Sequence, residues 1–458
     1  MPGISLSAYS SARSAHKSSA RSADELAALI AKENGIQSSS SRRFTILVLA
    51  TAAAIAVSNI YFPQPLLAAI AHSFEISEKK AGLIATAGQM GYAIGIALVV
   101  PLTDAVDLRR LGAVLPALTS LGLLAGAAAP NTLTLTIATL ALSTTTVLPQ
   151  IIMPVAASLA APERVGRTMS AVSVGLTLGT LLSRTASGAI SDLGGGWRSV
   201  YLIAAVLTGA LVLVLPRHLP VTSGRARIPY GKLLVSMPRL LVLHRELRTA
   251  AFLGGTFFAA FAAFWATLAF HLAEPVFHMG SGYAGLFGLF SVPGALLAVL
   301  VGRLNDRYGF TAVTSVATLS LILCFSILGL FGDTSVVALI IGSNLLSFGA
   351  GSSTIANQAR IFGISEEIRG RVNTVYMVST FAGGAIGSLI ATVVYDSHGW
   401  TGMIASCFVW VALAVAGFAL GTVRQRPTAV ATVQEQAARP GSRGRRAKGR
   451  FEPPSRCR

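Results

Sequence analysis

Glu163-Arg164-Val165-Gly166-Arg167 returns 204 positions later as Glu367-Ile368-Arg369-Gly370-Arg371. The same offset carries Asp192 onto Asp396, and Trp197 falls one residue out of register with Trp400. An offset of 203 relates Ala81-Gly82-Leu83 to Ala284-Gly285-Leu286, and one of 202 relates Asp104 to Asp306. An offset this steady across most of each half marks a duplicated unit. What the unit is follows from the residues between the matched points.

Those residues are mostly apolar. Of 458 residues 53% are hydrophobic and 12% charged, about half the charged share of a soluble domain. Apolar runs able to cross a hydrocarbon core of about 30 Å recur at 44–68, 80–102, 111–129, 132–160, 168–191 and 198–216. A second set follows at 249–272, 282–302, 311–331, 335–359, 372–395 and 400–422. The expected fold is therefore an all-α polytopic membrane protein with 12 transmembrane helices, arranged as two six-helix pseudo-repeats. Residues 42–216 form the first bundle and 249–422 the second, joined by a polar linker at 217–248. A Ser/Ala/Arg-rich head at 1–41 and a basic tail at 423–458 are read as disordered. The head has no apolar core followed by small residues, so it is not read as a cleavable signal peptide; a transit peptide is the alternative.

The net charge of +18 reports orientation, not a nucleic-acid partner. Arg42 and Arg43, Arg109 and Arg110, Arg164 and Arg167, Arg303 and Arg307, and Arg369 and Arg371 all fall on one side of the bundle. The opposite connections carry little beyond Lys79, Lys80 and Arg198. The positive-inside rule places the richer side, with both termini and the linker, in the cytoplasm. Cys324 and Cys407 lie in apolar runs and Cys457 in the tail, with no disulfide or metal spacing. No nucleophile–base pair, metal cluster or phosphate loop is present, so neither an enzyme nor a cofactor is expected. Parallel six-helix repeats place a substrate site between the halves, near the bilayer midplane.

Several stretches carry a family resemblance. Gly302-Arg303-Leu304-Asn305-Asp306-Arg307-Tyr308-Gly309 resembles the loop motif of the major facilitator superfamily. The equivalent stretch Pro101-Leu102-Thr103-Asp104-Ala105-Val106-Asp107-Leu108-Arg109-Arg110 keeps the Asp and the distal arginines. It lacks the leading Gly and the Arg directly after Asp104. Asn59-Ile60-Tyr61-Phe62-Pro63-Gln64-Pro65, and the fifth span from Gly175 through Gly179 and Arg184 to Gly188, are similar to bacterial inner-membrane members, largely efflux-type drug/proton antiporters. The resemblance covers roughly residues 44–422. It implies a monomeric secondary transporter of the bacterial inner membrane, embedded in the lipid bilayer and working by alternating access. Its expected activity is proton-coupled export of small, partly apolar organic compounds. Two alternatives stay open: uptake or facilitated diffusion of a small organic acid or other metabolite, and a non-transporting sensor or scaffold whose basic tail does the work.

The candidate residues follow. Asp104 and Asp306 end the second and eighth spans, where the resemblance implies a gating role with Arg109, Arg110 and Arg307 as charge partners; ordinary interfacial charge is the alternative. Arg184 lies 17 residues past Arg167, about 25 Å up its helix at 1.5 Å per residue. A cation at that depth faces a cavity or a partner. It is read as the contact for an anionic or acceptor-rich substrate group, as the partner of a carboxylate that titrates during transport, or as an arginine that donates to helix ends or snorkels outward. Gln89 and Asn344 fall near mid-depth, and Asn59, Gln64 and Gln150 lie off-centre. Because the family lines its central path with the first, fourth, seventh and tenth helices, the resemblance implies substrate contact for Asn59, Gln64, Gln150 and Asn344. An amide in a membrane helix also often just bonds a neighbour. No Asp or Glu lies near mid-depth, so the protonatable candidates are His271 and Glu274 at the outer mouth, which could equally be solvated interfacial residues. Phe257-Phe258 through Phe264-Trp265 offer stacking surface to an aromatic substrate, or a core stripe.

Overall fold

The computed structural model describes residues 39–160, 164–222, 229–365 and 367–423. The expectations for the remainder of the head and tail lie outside these residues.

Helix α1, Ser39–Tyr61, runs through Ala, Leu and Ile without a breaker until Pro63 and Pro65. Each proline withholds an amide hydrogen, so the chain tightens into a 3-10 turn at Gln64–Leu66 and resumes as α2, Leu67–Phe74. Helices α3, Glu78–Val99, and α4, Leu108–Ala127, follow. The fourth crossing breaks at Thr146–Val147 into α5, Thr132–Thr145, and α6, Leu148–Leu159, the latter with Pro149 in its first turn. Then come α7, Val165–Ile190, and α8, Gly196–His218. After the linker helix α9, Tyr230–Leu243, the second half runs through α10, Arg245–Ala273, and α11, Ser281–Phe290. It continues with α12, Val292–Phe331, α13, Val336–Phe362, and α14, Arg369–Val423.

By length and apolarity ten helical segments among the described residues can cross a membrane. Two of them, Val165–His218 and Arg369–Leu420, hold 54 and 52 residues, about 80 Å each at 1.5 Å per residue. That is more than twice the hydrocarbon thickness. Each reverses at glycines with positive φ, Gly194 and Gly196 in one and Gly399 in the other, a backbone region glycine enters without strain. The ten segments therefore make twelve crossings, six per repeat. The repeat is also visible in the packing. A Cβ on Gly179 would lie 2.5 Å from the Ala54 carbonyl oxygen, and one on Gly383, 204 residues on, 2.3 Å from that of Gly255. The fifth crossing thus meets the first as the eleventh meets the seventh, backbone against backbone.

Twelve crossings leave the start of α1, the linker and the end of α14 on one face of the bundle, here the terminal face; the opposite is the far face. The linker is not simply polar. Leu233, Met237 and Leu240, spaced four and three apart, bury one side of α9 against Leu247, Val372 and Tyr376. Val242 and Leu243 stay exposed on α9. This apolar stripe is hidden in the sequence by the basic residues in and around it, Lys232, Arg239 and Arg245.

Candidate functional site

The halves meet along α3 with α14 and α7 with α11, and they are closed at the far face. The Gly282 amide donates to Asp192 Oδ2 at 2.7 Å, and the Lys79 amide to Asp396 Oδ1 at 3.3 Å. Deeper in the bundle, Thr185 Oγ1 donates to the Gly285 carbonyl at 2.9 Å, and the Thr86 and Ser388 hydroxyls lie 3.0 Å apart. Toward the terminal face the halves part around a cavity of about 550 Å³, lined by Asp104, Gln150 and Pro154 from one half and Glu367, Arg371 and Asn373 from the other.

Between the closed face and the cavity runs a ladder of rings. Gln150 Nε2 donates to the Tyr92 hydroxyl at 3.3 Å, and Tyr92 meets Phe381 edge-on, centroids 4.5 Å apart. Phe381 packs at 4.9 Å on Phe258, which stacks at 5.5 Å on Phe261. Phe261 lies 6.1 Å from Trp265. Both halves contribute, and Phe258 and Phe261 keep partly exposed surface.

Arg184 heads the ladder, fully buried. Its Cζ lies 4.0 Å from the Trp265 ring centroid and 4.7 Å from that of Tyr61. Tyr61 belongs to the first half and Trp265 to the second, so the guanidinium sits between the halves, at the interface where a parallel-repeat transporter binds its substrate. Nε donates to Gln64 Oε1 at 2.8 Å and Nη1 to the Thr180 carbonyl at 3.2 Å. Nη2 has no hydrogen-bond partner, and the Trp265 Nε1–H has none either. Among the described residues no carboxylate lies within ion-pair distance of Arg184.

The other candidates separate. Gln64 joins Arg184 and Gln150 reaches the cavity, whereas Asn59 is buried and donates to Thr208 Oγ1 at 3.0 Å inside the first half. Gln89 is buried with Oε1 unpaired. Asn344 repairs a helix. Between α11 and α12 the Gly294 amide donates to Asn344 Oδ1 at 2.8 Å, and Asn344 Nδ2 donates to the Phe290 carbonyl at 2.7 Å. The side-chain amide thus stands in for the helical bond these two groups would share beside Pro293. Asp104 lines the cavity without an ion pair to Arg109 or Arg110; Arg109 Nε instead donates to the Leu219 carbonyl at 2.9 Å. Among the described residues Arg110 makes no ion pair. Arg307 lies over Tyr308 at 5.3 Å, and the side chain of Asp306 is outside the described residues. His271 is fully buried rather than solvated, stacked 3.9 Å from Trp400, with Nδ1 3.5 Å from Glu274 Oε2. Tyr395 donates to the other Glu274 oxygen. Sequence reasoning missed Tyr61, Tyr92 and Phe381; for Tyr61 the available signal was its place in the quoted stretch Asn59–Pro65, three residues before Gln64.

Comparison with known proteins agrees with this architecture. The family model described as Major Facilitator Superfamily matches residues 47–289 and 250–451. The chain is 38% identical over 358 residues to the uncharacterized transporter YgaY of Escherichia coli O157:H7, covering 78% of this chain and 90% of that one. It is 33% identical over 382 residues to the probable transporter SCO4007 of Streptomyces coelicolor, covering 82% and 87%. Among solved structures, a bacterial homolog of the human lysosomal transporter Spinster, in an inward-facing and unoccupied conformation, superposes with a TM-score of 0.65 at 15% identity. It covers 84% of this chain and 98% of that one. The nucleoside transporter NupG gives 0.64 at 14% identity, covering 83% and 99%; both likenesses concern the fold. With its duplicated six-helix halves and these matches, the chain belongs to the Major Facilitator Superfamily of transporters.

Proposed function

We propose that this protein is a proton-coupled exporter of small, partly apolar organic compounds in a bacterial cytoplasmic membrane, with both termini inside. Residues 42–216 rock against 249–422, and the substrate sits on the ring ladder between them. The carrying observation is that ladder: joined to the open cavity through Gln150, Tyr92, Phe381, Phe258, Phe261 and Trp265 run in unbroken contact toward Arg184. Apolar and flat surface between the halves suits an apolar and flat cargo. The far-face group of His271, Glu274 and Tyr395 supplies a place for the coupling proton, consistent with the lack of a mid-depth carboxylate in the sequence. Arg184 lends weight to a second reading, uptake of a small organic acid, in which the cation neutralises the cargo.

Everted vesicles with an inward-acid pH gradient test the proposal, with cationic drugs, neutral aromatics and organic acids added in turn. Protein-dependent collapse of the gradient by one compound class is the expected result. Protein-dependent uptake of a labelled compound with no collapse would replace antiport by facilitated diffusion. If no compound moves, the substrate reading fails.

A further inference from the structure

We propose that Arg184 and Trp265 together bind a carboxylate, and that the cargo is a flat aromatic monocarboxylate. The inference rests on the transporter reading above and adds the chemistry of its substrate.

Two donors at the head of the ladder are unspent. Arg184 uses Nε on Gln64 and Nη1 on Thr180, leaving Nη2 without a partner, and the Trp265 Nε1–H beside it is also without one. The two side chains are 0% and 2% exposed. Buried polar groups are almost always hydrogen-bonded, so two adjacent unpaired donors mark a position for an acceptor. They are within reach of a single group. With Cζ 4.0 Å from the ring centroid, simple bond lengths put Nη2 and Nε1 at most about 7.5 Å apart, and a carboxylate accepting through both oxygens spans up to about 8 Å.

The surroundings select the rest of the molecule. One guanidinium, with no second cation recorded on these rings among the described residues, matches one negative charge and disfavours a dianion. Tyr61, Phe261 and Trp265 hold the cation by its π-contacts while no anion is present, and a dry site strengthens a charge-assisted hydrogen bond. Below the cation, Phe258 and Phe381 provide faces and edges for an aromatic ring.

The test uses the full chain in lipid nanodiscs and calorimetric titration with benzoate, its neutral isostere benzamide, and benzylammonium. Benzoate should bind at least about tenfold more tightly than benzamide, a step of about 1.4 kcal/mol, and benzylammonium should not bind. Arg184→Gln should erase the preference. Arg184→Lys keeps the charge but loses the planar fork, and should weaken benzoate about tenfold. Trp265→Phe keeps an aromatic face for the cation but loses the indole N–H with its five-membered ring, so it should weaken benzoate several-fold and benzamide less. Variants are compared only where thermal unfolding matches the parent. Equal binding of benzoate and benzamide, or a preference that survives Arg184→Gln, overturns the site. Absent benzoate binding alongside vesicle transport of a neutral or cationic compound overturns the carboxylate site and leaves the transporter; absent binding and transport for every compound overturns both.

Discussion

Asp192 and Asp396, 204 residues apart, close the far face in the same way: each carboxylate accepts the second amide of a helix belonging to the other half. Asp192 reaches Gly282 at the start of α11, and Asp396 reaches Lys79 at the start of α3. The first amides of a helix lack internal partners and carry the positive end of its dipole, so each contact pairs a free donor with a carboxylate. Both must break when the halves part at this face. Losing such a capping acceptor costs about 1 kcal/mol, roughly fivefold in the closed-to-open ratio. Asp192→Ala should therefore speed thiol labelling of an Ala71→Cys reporter, placed in the far-face hollow, by about that factor. Asp192→Asn, which retains an acceptor, should change it less. Unaltered labelling in both Asp192→Ala and Asp396→Ala would leave these contacts without a gating role.

The repeat that pairs these aspartates is legible in the sequence, because duplication preserves spacing. Their partners are not, because Gly282 and Lys79 donate through the backbone, which no residue type announces. Arg184 is legible for the opposite reason: a charge deep in an apolar run demands an explanation. Its cage is half legible: Trp265 lies in an aromatic run and Tyr61 in the first-span motif, but their meeting over Arg184 is set by packing. Asn344 could not be resolved between substrate contact and a bond to a neighbouring helix, because the broken bond it mends lies 50 residues away beside Pro293. The first-span amides divide by packing alone, Gln64 toward the interface and Asn59 into its own half.

Asn344 therefore separates stability from affinity. Asn344→Leu would strand the Gly294 amide and the Phe290 carbonyl at a helix break inside the bilayer, where backbone groups have no water to turn to. A loss of about 1–3 kcal/mol is expected, read as a lower unfolding temperature in detergent. Substrate Kd, where the variant still folds, should be unchanged. A weakened Kd with unaltered unfolding temperature would return Asn344 to the substrate path.

Asp107 fastens the chain leaving α8. Its Oδ1 accepts from the Thr222 amide at 2.9 Å and from the Thr222 hydroxyl at 3.3 Å. The amide bond from Thr222, aided by Arg109, holds its carboxyl below the ordinary value. A depressed carboxylate contributes above its unfolded pKa, about 3.9, and loses that contribution as pH falls through the folded value. Protection of the Thr222 amide from hydrogen exchange, corrected for intrinsic rate, should thus stay level between pH 8 and pH 5. Asp107→Ala should abolish it at every pH. A protection that fades between pH 7 and pH 5 would point to another titrating group.

The geometry at the far face offers the proposed coupling proton an address at His271. His271 Nε2 lies 3.0 Å from the Gly332 carbonyl, which can only accept, so Nε2 carries a hydrogen and any exchangeable proton belongs on Nδ1. That atom has no hydrogen-bond partner and lies 3.5 Å from Glu274 Oε2, while Tyr395 occupies the other carboxylate oxygen. A proton arriving at Nδ1 would complete a chain from imidazole to carboxylate to phenol beside the hollow between the halves. His271→Gln can still donate to Gly332 but cannot take up a proton in this way. If the proton couples here, gradient-driven transport should fall by an order of magnitude or more, while exchange of labelled for unlabelled substrate, which needs no net proton movement, should continue. His271→Ala, losing the Gly332 bond and the stack on Trp400, should impair both. Gradient-driven transport at the parent rate in His271→Gln would place the coupling proton elsewhere, and loss of exchange in a well-folded His271→Gln would make the residue part of the rocking machinery instead.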